Sequence, residues 1–172
     1  MTDVIIRAAE PSDLEALTEM ANLPGVRHGT MRVPFTPQAV MEQRVAARPG
    51  VHVLVAAIDK RAIGQGILTQ HNGRRSHAGE VYLFVHDDHV GKGIGTNLLR
   101  ALLDLADNWV GLRRVELTVN VDNERAVRLY ERMGFEREGT RRADILRDGK
   151  LVDCFLMARV KEAPELHNIS GD

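Results

Sequence analysis

The segment EVYLFVHDDHVGKGIGT, residues 80–96, constrains the fold more than any other stretch of the chain. Residues 81–85 are β-branched and aromatic and too few for a buried helix, so they read as a strand. A polar turn follows, then Gly91, Gly93 and Gly95, then the helical pattern TNLLRALLDLADNW. A strand that passes through glycines onto a helix N-terminus builds an anion site. Residues without side chains let backbone N–H groups approach a phosphate, and the helix end adds unpaired donors and about half a positive charge. A phosphate-bearing ligand is therefore expected.

At 172 residues the chain reads as one domain over residues 1–162, with residues 163–172 as a flexible tail lacking periodicity. A composition 44% hydrophobic and 27% charged is that of a soluble globular protein. The net charge of -1 argues against nucleic acid as a partner, which would want a basic excess. No apolar run approaches the roughly 20 residues of a membrane span. The N-terminal residues MTDVIIRAAE lack a signal-peptide pattern. Cys154 is alone, so no internal disulfide forms; together these features point to the cytoplasm.

Periodicity gives a mixed α/β order. Residues 4–7 read as a short strand, and Pro11-Ser12-Asp13 opens a helix that Pro24-Gly25 ends. The stretch up to Pro34 is irregular by pattern, and Thr36-Pro37 starts a second helix. Strands are expected at 51–58 and 62–69, with a polar loop at 72–76. After the glycine turn, leucines at helical spacing mark a helix over 97–109. Alternation over 114–121 marks a strand with one buried face, and 123–133 reads as a helix stopped by Gly134. Strands at 137–146 and 151–160 flank Asp148-Gly149, a strong hairpin signal.

Several readings compete for the glycine turn. A P-loop needs G-x-x-x-x-G-K-[ST], and Gly91-Lys92 is followed by Gly93, which excludes it. A dinucleotide fingerprint needs G-x-G-x-x-G, whereas Thr96 stands at the last glycine position. Glu116 does lie roughly 20 residues on, where a ribose contact would be wanted. The turn nevertheless falls past mid-chain, after strands that read as antiparallel. A bare structural turn would need one glycine rather than three.

A second motif separates these readings. Residues 123–135 have the form N-x-x-A-x-x-L-Y-x-x-x-G-F, from Asn123 through Ala126, Leu129, Tyr130 and Gly134 to Phe135. Together with V-G-K-G-I-G upstream, this resembles the GCN5-related N-acetyltransferase (GNAT) superfamily. Segments such as RRSH at 74–77, ELTV at 116–119 and MARVK at 157–161 make the chain most similar to bacterial L-amino-acid N-acyltransferases. The resemblance implies a mostly antiparallel mixed sheet with helices on both faces and a splayed central strand pair that holds the cofactor. It implies acetyl-CoA as cosubstrate, its pantetheine arm along Leu83, Phe84 and Val85. The pyrophosphate would sit on the backbone of Val90, Gly91, Lys92, Gly93, Ile94, Gly95 and Thr96. Val90 departs from the Arg or Gln usual at that position, which implies weaker cofactor binding at worst.

The resemblance further places the Asn123 side chain on the cofactor arm; the alternative for Asn123 is a helix N-cap. Tyr130 would protonate the departing thiolate, and a phenol of pKa about 10 suits an acid at neutral pH. The alternative is a buried aromatic beside Ala126 and Leu129. Glu80, expected to be partly desolvated, is the candidate base that makes the acceptor amine neutral, directly or through water; His77 is the second. The acceptor is expected between the early helices and the splayed strands, against Asn120 and Val121. Met31, Val33 and Phe35 would form an apolar pocket there and Arg32 would clamp a carboxylate. The seven histidines lack metal-ligand spacing, so no metal site is expected. Cys154, in a late apolar strand, reads as core. The Arg74-Arg75, Arg113-Arg114 and Arg141-Arg142 doublets read as solvated charge.

The expected activity is acetyl transfer to the amine of a small molecule, most simply an amino acid, by direct attack. The alternatives are a protein N-terminus or lysine as acceptor, an antibiotic- or herbicide-type amine, a CoA-binding regulatory module without turnover, and a nicotinamide oxidoreductase. The late strands offer edges for pairing a second subunit, which implies a homodimer.

Overall fold

The computed structural model describes residues 3–161; the proposed tail lies outside the described residues. The elements run β1 (Ile5–Ala8), α1 (Leu14–Ala21), α2 (Pro24–Gly29), α3 (Gln38–Val45), β2 (Val51–Ile58), β3 (Arg61–Gln70) and β4 (Ala78–Val85). They continue with α4 (Ile94–Asp104), β5 (Arg114–Asn120), α5 (Glu124–Arg132), β6 (Glu136–Arg147) and β7 (Lys150–Val160). The strands form a seven-stranded sheet in the order β1-β2-β3-β4-β5-β7-β6. Every neighbouring pair is antiparallel except β4 and β5, which α4 connects as a crossover.

That one parallel pair is short. Ala78, Gly79 and Glu80 pair with Arg114, Val115 and Glu116, and there the ladder ends. Farther along, β4 stays paired with β3 and β5 with β7, so the two strands part from Val81 and Leu117 onward. The expected splay is present, and the antiparallel surroundings exclude the doubly wound dinucleotide fold.

Alternation sorts the central strands between the two faces of the sheet. On one face α4 buries Leu98, Leu99, Leu102 and Leu103. Gly64 and Gly66 of β3 make room for it: a Cβ at Gly66 would lie 2.8 Å from Leu102 Cδ1, and one at Gly64 3.0 Å from Leu98 Cδ1. On the opposite face Leu17 and Met20 of α1 and Met41 of α3 are fully buried with Phe84. Each such side chain contributes about 1.5–3 kcal/mol of burial.

Two local expectations change. Pro24 occupies the first turn of α2 rather than ending α1, because Leu23 turns extended (ψ 141°) before it and proline at that position has no N–H to lose. The leucine-rich helix closes in a wider π-type turn, Leu105–Val110, before Gly111 (φ +76°) reverses the chain and Leu112 N–H bonds the Ala106 carbonyl at 2.7 Å. The hairpin at Asp148-Gly149 forms as expected, with φ +49° and +75°.

Candidate active site

The parted ends of β4 and β5 open a cleft of about 1100 Å³. It is lined by β4, the end of β5, the glycine turn, α5 and α2. Three side-chain contacts hold α2 there. Asp87 accepts from Gly25 N–H at 2.8 Å, Asn120 Nδ2 donates to the His28 carbonyl at 3.1 Å, and Arg147 Nη1 donates to the same carbonyl at 3.0 Å. Arg147 is itself anchored by an ion pair with Asp122.

The three glycines of the turn act differently. Gly91 (φ +86°) and Gly93 (φ +79°) adopt the left-handed region that side chains disfavour. Gly93 caps α4, and no protein atom lies within 4 Å of the place its Cβ would take. The first helical bond runs from Asn97 N–H to the Gly93 carbonyl at 3.0 Å. The amides of Ile94, Gly95 and Thr96 therefore lack intrahelical partners, and all three residues line the cleft. Gly95 brings the helix onto Leu129, 3.6 Å from its would-be Cβ. Beside the turn His89 is held below its ordinary pKa, by burial first and then by Lys92 and His86.

Tyr130 lines the cleft and is 7% exposed. Burial pushes its phenol well above the ordinary value, with a smaller push from nearby Tyr82, so it stays protonated. Asn123 caps α5 by accepting from Ala126 N–H at 3.3 Å, while its Nδ2 lies 3.2 Å from where a Cβ on Gly29 would stand. The N-cap role is thus realised, and the residue also faces the cleft. Leu83, Phe84, Val85, Val90 and Asn120 line the cleft as well.

Other expected residues land elsewhere. Glu80 lines the cleft but is exposed rather than desolvated, because it stands where β4 and β5 begin to part. His77 is exposed and lies outside the cleft lining. Met31 lines the cleft, whereas Val33 and Phe35 are 70% and 94% exposed and form no pocket; the chain kinks at Phe35 (φ +62°) and turns them to solvent. Val121 is also outside the lining, its N–H tied to the Asp153 carbonyl at 3.0 Å. Lys92 is drawn back to the Asp88 carbonyl at 2.9 Å. Arg32 is turned into the protein: its Nε donates to Tyr82 Oη at 3.1 Å and its guanidinium lies 5.0 Å from the Phe84 ring centre.

The arginine doublets are not all solvated. Glu116 accepts from Arg114 at 2.8 Å, His71 at 2.8 Å and Arg75 at 2.6 Å. Burial alone would raise its pKa, but these donors hold it down to about 2, and a carboxylate so occupied is not free to bind a ribose. Arg141 lines the cleft, carried over it by a bulge in β6 at Ala143 (φ +52°) that Asp153 secures through the Ala143 N–H. Cys154 is fully buried, and desolvation followed by Asp144 raises its thiol to about 11, as a packing residue requires. Tyr82, missed on sequence grounds, shares a strand face with Glu80 and Phe84 and lines the cleft; strict alternation along β4 was the available signal. Arg141 had none, since a bulge is invisible to periodicity.

Comparison with known proteins agrees with this geometry. Residues 16–135 match the Acetyltransferase (GNAT) family. The L-amino acid N-acetyltransferase AaaT of Escherichia coli strain K12 is 39% identical over 162 residues, 94% of this chain and 100% of that protein. The N-alpha-acetyltransferase RimI of Mycobacterium tuberculosis is 34% identical over 127 residues, 73% of this chain and 75% of its own. Among solved structures, a GNAT superfamily phosphinothricin acetyltransferase from Sinorhizobium meliloti in complex with AcCoA superposes with a TM-score of 0.82 at 25% identity, covering 95% of this chain and 91% of that one. A splayed strand pair, a glycine turn at a helix N-terminus and a buried tyrosine on the next helix occur here in a chain whose sequence matches AaaT over that protein's whole length. The chain belongs to the GNAT family of acetyltransferases.

Proposed function

We propose that this acetyltransferase moves the acetyl group of acetyl-CoA to the α-amine of a small amino acid by direct attack. The observation that carries the reading is the cleft at the β4–β5 splay, with unpaired helix amides at one end and a protonated phenol on its wall. The AaaT relative, matched over its whole length, supports an amino acid as acceptor, and the AcCoA-bound relative supports the cosubstrate.

The residues divide the proton work. Glu80 takes a proton from the acceptor ammonium, directly or through water, and exposure leaves it in contact with solvent to pass the proton on. The neutral amine attacks the thioester carbonyl; the C–N bond forms and the C–S bond breaks. Tyr130 gives its proton to the departing thiolate and regains one as the newly bonded nitrogen sheds its extra proton, so a neutral amide and a free thiol leave. Asn123 and the amides of residues 90–96 bind and orient the cosubstrate.

The test is release of free CoA thiol from acetyl-CoA against a panel of L-amino acids, an N-terminal peptide, spermidine and an aminoglycoside. Turnover with amino acids and none with the other amines is expected. Turnover on the peptide instead would favour the second reading, which the RimI relative supports. CoA binding without turnover on any amine would mark a regulatory module. We also infer a homodimer, because β6 is an exposed edge strand of 12 residues and the adjoining hairpin exposes Leu146 and Leu151. Light scattering that gives a monomer mass would overturn it. The single buried cysteine fits a reducing cytoplasm.

A further inference from the structure

At the glycine-turn end of the cleft stands a cation without a protein partner among the described residues. Arg125 occupies the second position of α5, is exposed and lines the cleft. Its guanidinium lies over Gly91, so closely that a Cβ built on Gly91 would fall 2.8 Å from Nη2. Gly91 thus meets two demands at once: a left-handed backbone and room for Arg125. No carboxylate among the described residues forms an ion pair with Arg125, whereas Arg128, one turn along the same helix, pairs with Glu124 at 3.0 Å.

The turn's own side chains are directed elsewhere. Val90 is apolar, Lys92 keeps its charge but gives its ammonium to the Asp88 carbonyl and lies outside the cleft lining, and His89 is held below its ordinary pKa. The nearby Asp87 is occupied by Gly25 N–H. Arg125 is therefore a cleft-lining cation beside the turn, next to the free amides of α4 and without an ion-pair partner among the described residues. A guanidinium is also the side chain best shaped to grip phosphate oxygens in pairs.

We propose that Arg125 completes the phosphate site, setting its guanidinium over Gly91 against a phosphate group of the acyl-CoA. This rests on the acyl-CoA reading above. The phosphate is either the pyrophosphate or the ribose 3′-phosphate, and the two are separated by using 3′-dephospho-CoA as a second probe.

The experiment is calorimetric titration of CoA and 3′-dephospho-CoA into the wild-type protein, Arg125→Gln, Arg125→Lys and the control Arg128→Gln. Arg125→Gln is expected to weaken CoA roughly tenfold, the lower end for a hydrogen bond to a charged group at an exposed site. Arg125→Lys should recover part of the loss, because it keeps the charge without the fork. Arg128→Gln should match the wild type, and added salt should narrow the gap between Arg125→Gln and the wild type. An equal loss with dephospho-CoA assigns the contact to the pyrophosphate, and a loss confined to CoA assigns it to the 3′-phosphate; either supports the proposal. Equal CoA affinity in the wild type and in a folded Arg125→Gln overturns it. A wild-type protein that binds no CoA removes the acyl-CoA reading itself.

Discussion

Tyr130 and Phe135 are joined twice: the Phe135 N–H donates to the Tyr130 carbonyl at 3.0 Å, and their rings meet edge-to-face with centroids 5.8 Å apart. Gly134 (φ +88°) makes both contacts possible, and its own N–H donates to the Glu131 carbonyl at 3.1 Å. These are the paired bonds and apolar contact of a Schellman helix stop. The G-F that ends the N-x-x-A-x-x-L-Y-x-x-x-G-F motif is therefore a buttress for the tyrosine ring. The motif reads as one device, which caps α5 with Asn123 at its start and fixes Tyr130 at its end.

Because the ring is held by packing, Tyr130→Phe keeps the Phe135 contact and removes only the proton. Turnover should fall by roughly 10²–10⁴, the contribution of a positioned acid, while CoA affinity stays near the wild-type value. Steady-state rates with a calorimetric affinity check this. Full turnover would take Tyr130 out of the chemistry.

Gly93 and Gly111 share a positive φ and open space around the would-be Cβ, but only Gly93 borders the cleft. Alanine at either should cost about 1–2 kcal/mol of backbone strain and lower the melting temperature comparably. Only Gly93→Ala should also weaken acetyl-CoA, because its methyl enters the space where the phosphate would lie. If both variants bind acetyl-CoA like the wild type, the anion site is misplaced.

Asn123 is expected to serve both fold and cofactor, and two substitutions separate the roles. Asn123→Ala loses the cap and should cost about 1 kcal/mol as well as weakening CoA. Asn123→Asp keeps an oxygen acceptor for the Ala126 N–H and suits the helix N-terminus, so stability should hold while CoA binding falls with the lost amide donor. A fully CoA-competent Asn123→Asp would leave the residue as a cap alone.

Glu116 sets an acid limit on the fold. Its folded pKa of about 2 lies below the ordinary 4.5, so the ionised form stabilises the native state. That stabilisation, on the order of 3 kcal/mol for a side chain 21% exposed, is complete above pH 4.5 and is lost as pH falls towards 2. Urea unfolding from pH 7 down to pH 2 should show Glu116→Gln less stable at neutrality and the two proteins converging in acid. A gap that is constant with pH would contradict this assignment.

What could be read without coordinates was local. Gly91 and Gly93 announce left-handed backbone, Asn123 and Gly134 announce the two ends of a helix, and Asp148-Gly149 announces a hairpin. Each signal works through φ preferences and hydrogen bonds spanning at most a few residues. Pro24 misled for the same reason: a proline closes one helix or opens the next, and its local chemistry is alike in both cases.

The chain's own sequence determined the strand–glycine–helix turn, the capped and buttressed helix that carries Tyr130, and the sorting of apolar residues between the two faces of the sheet. Tertiary structure alone decided that β4 and β5 part after three pairs, that Glu80 meets solvent there, and that Arg32 turns inward onto Tyr82 while Phe35 turns out. It also decided that Arg125 reaches Gly91 and that Arg141 is carried over the cleft. These outcomes depend on how the sheet's two halves diverge and on contacts between residues far apart in the chain, such as Asn120 with His28. Backbone preference acts over one turn, whereas a cleft is made by elements that only packing brings together.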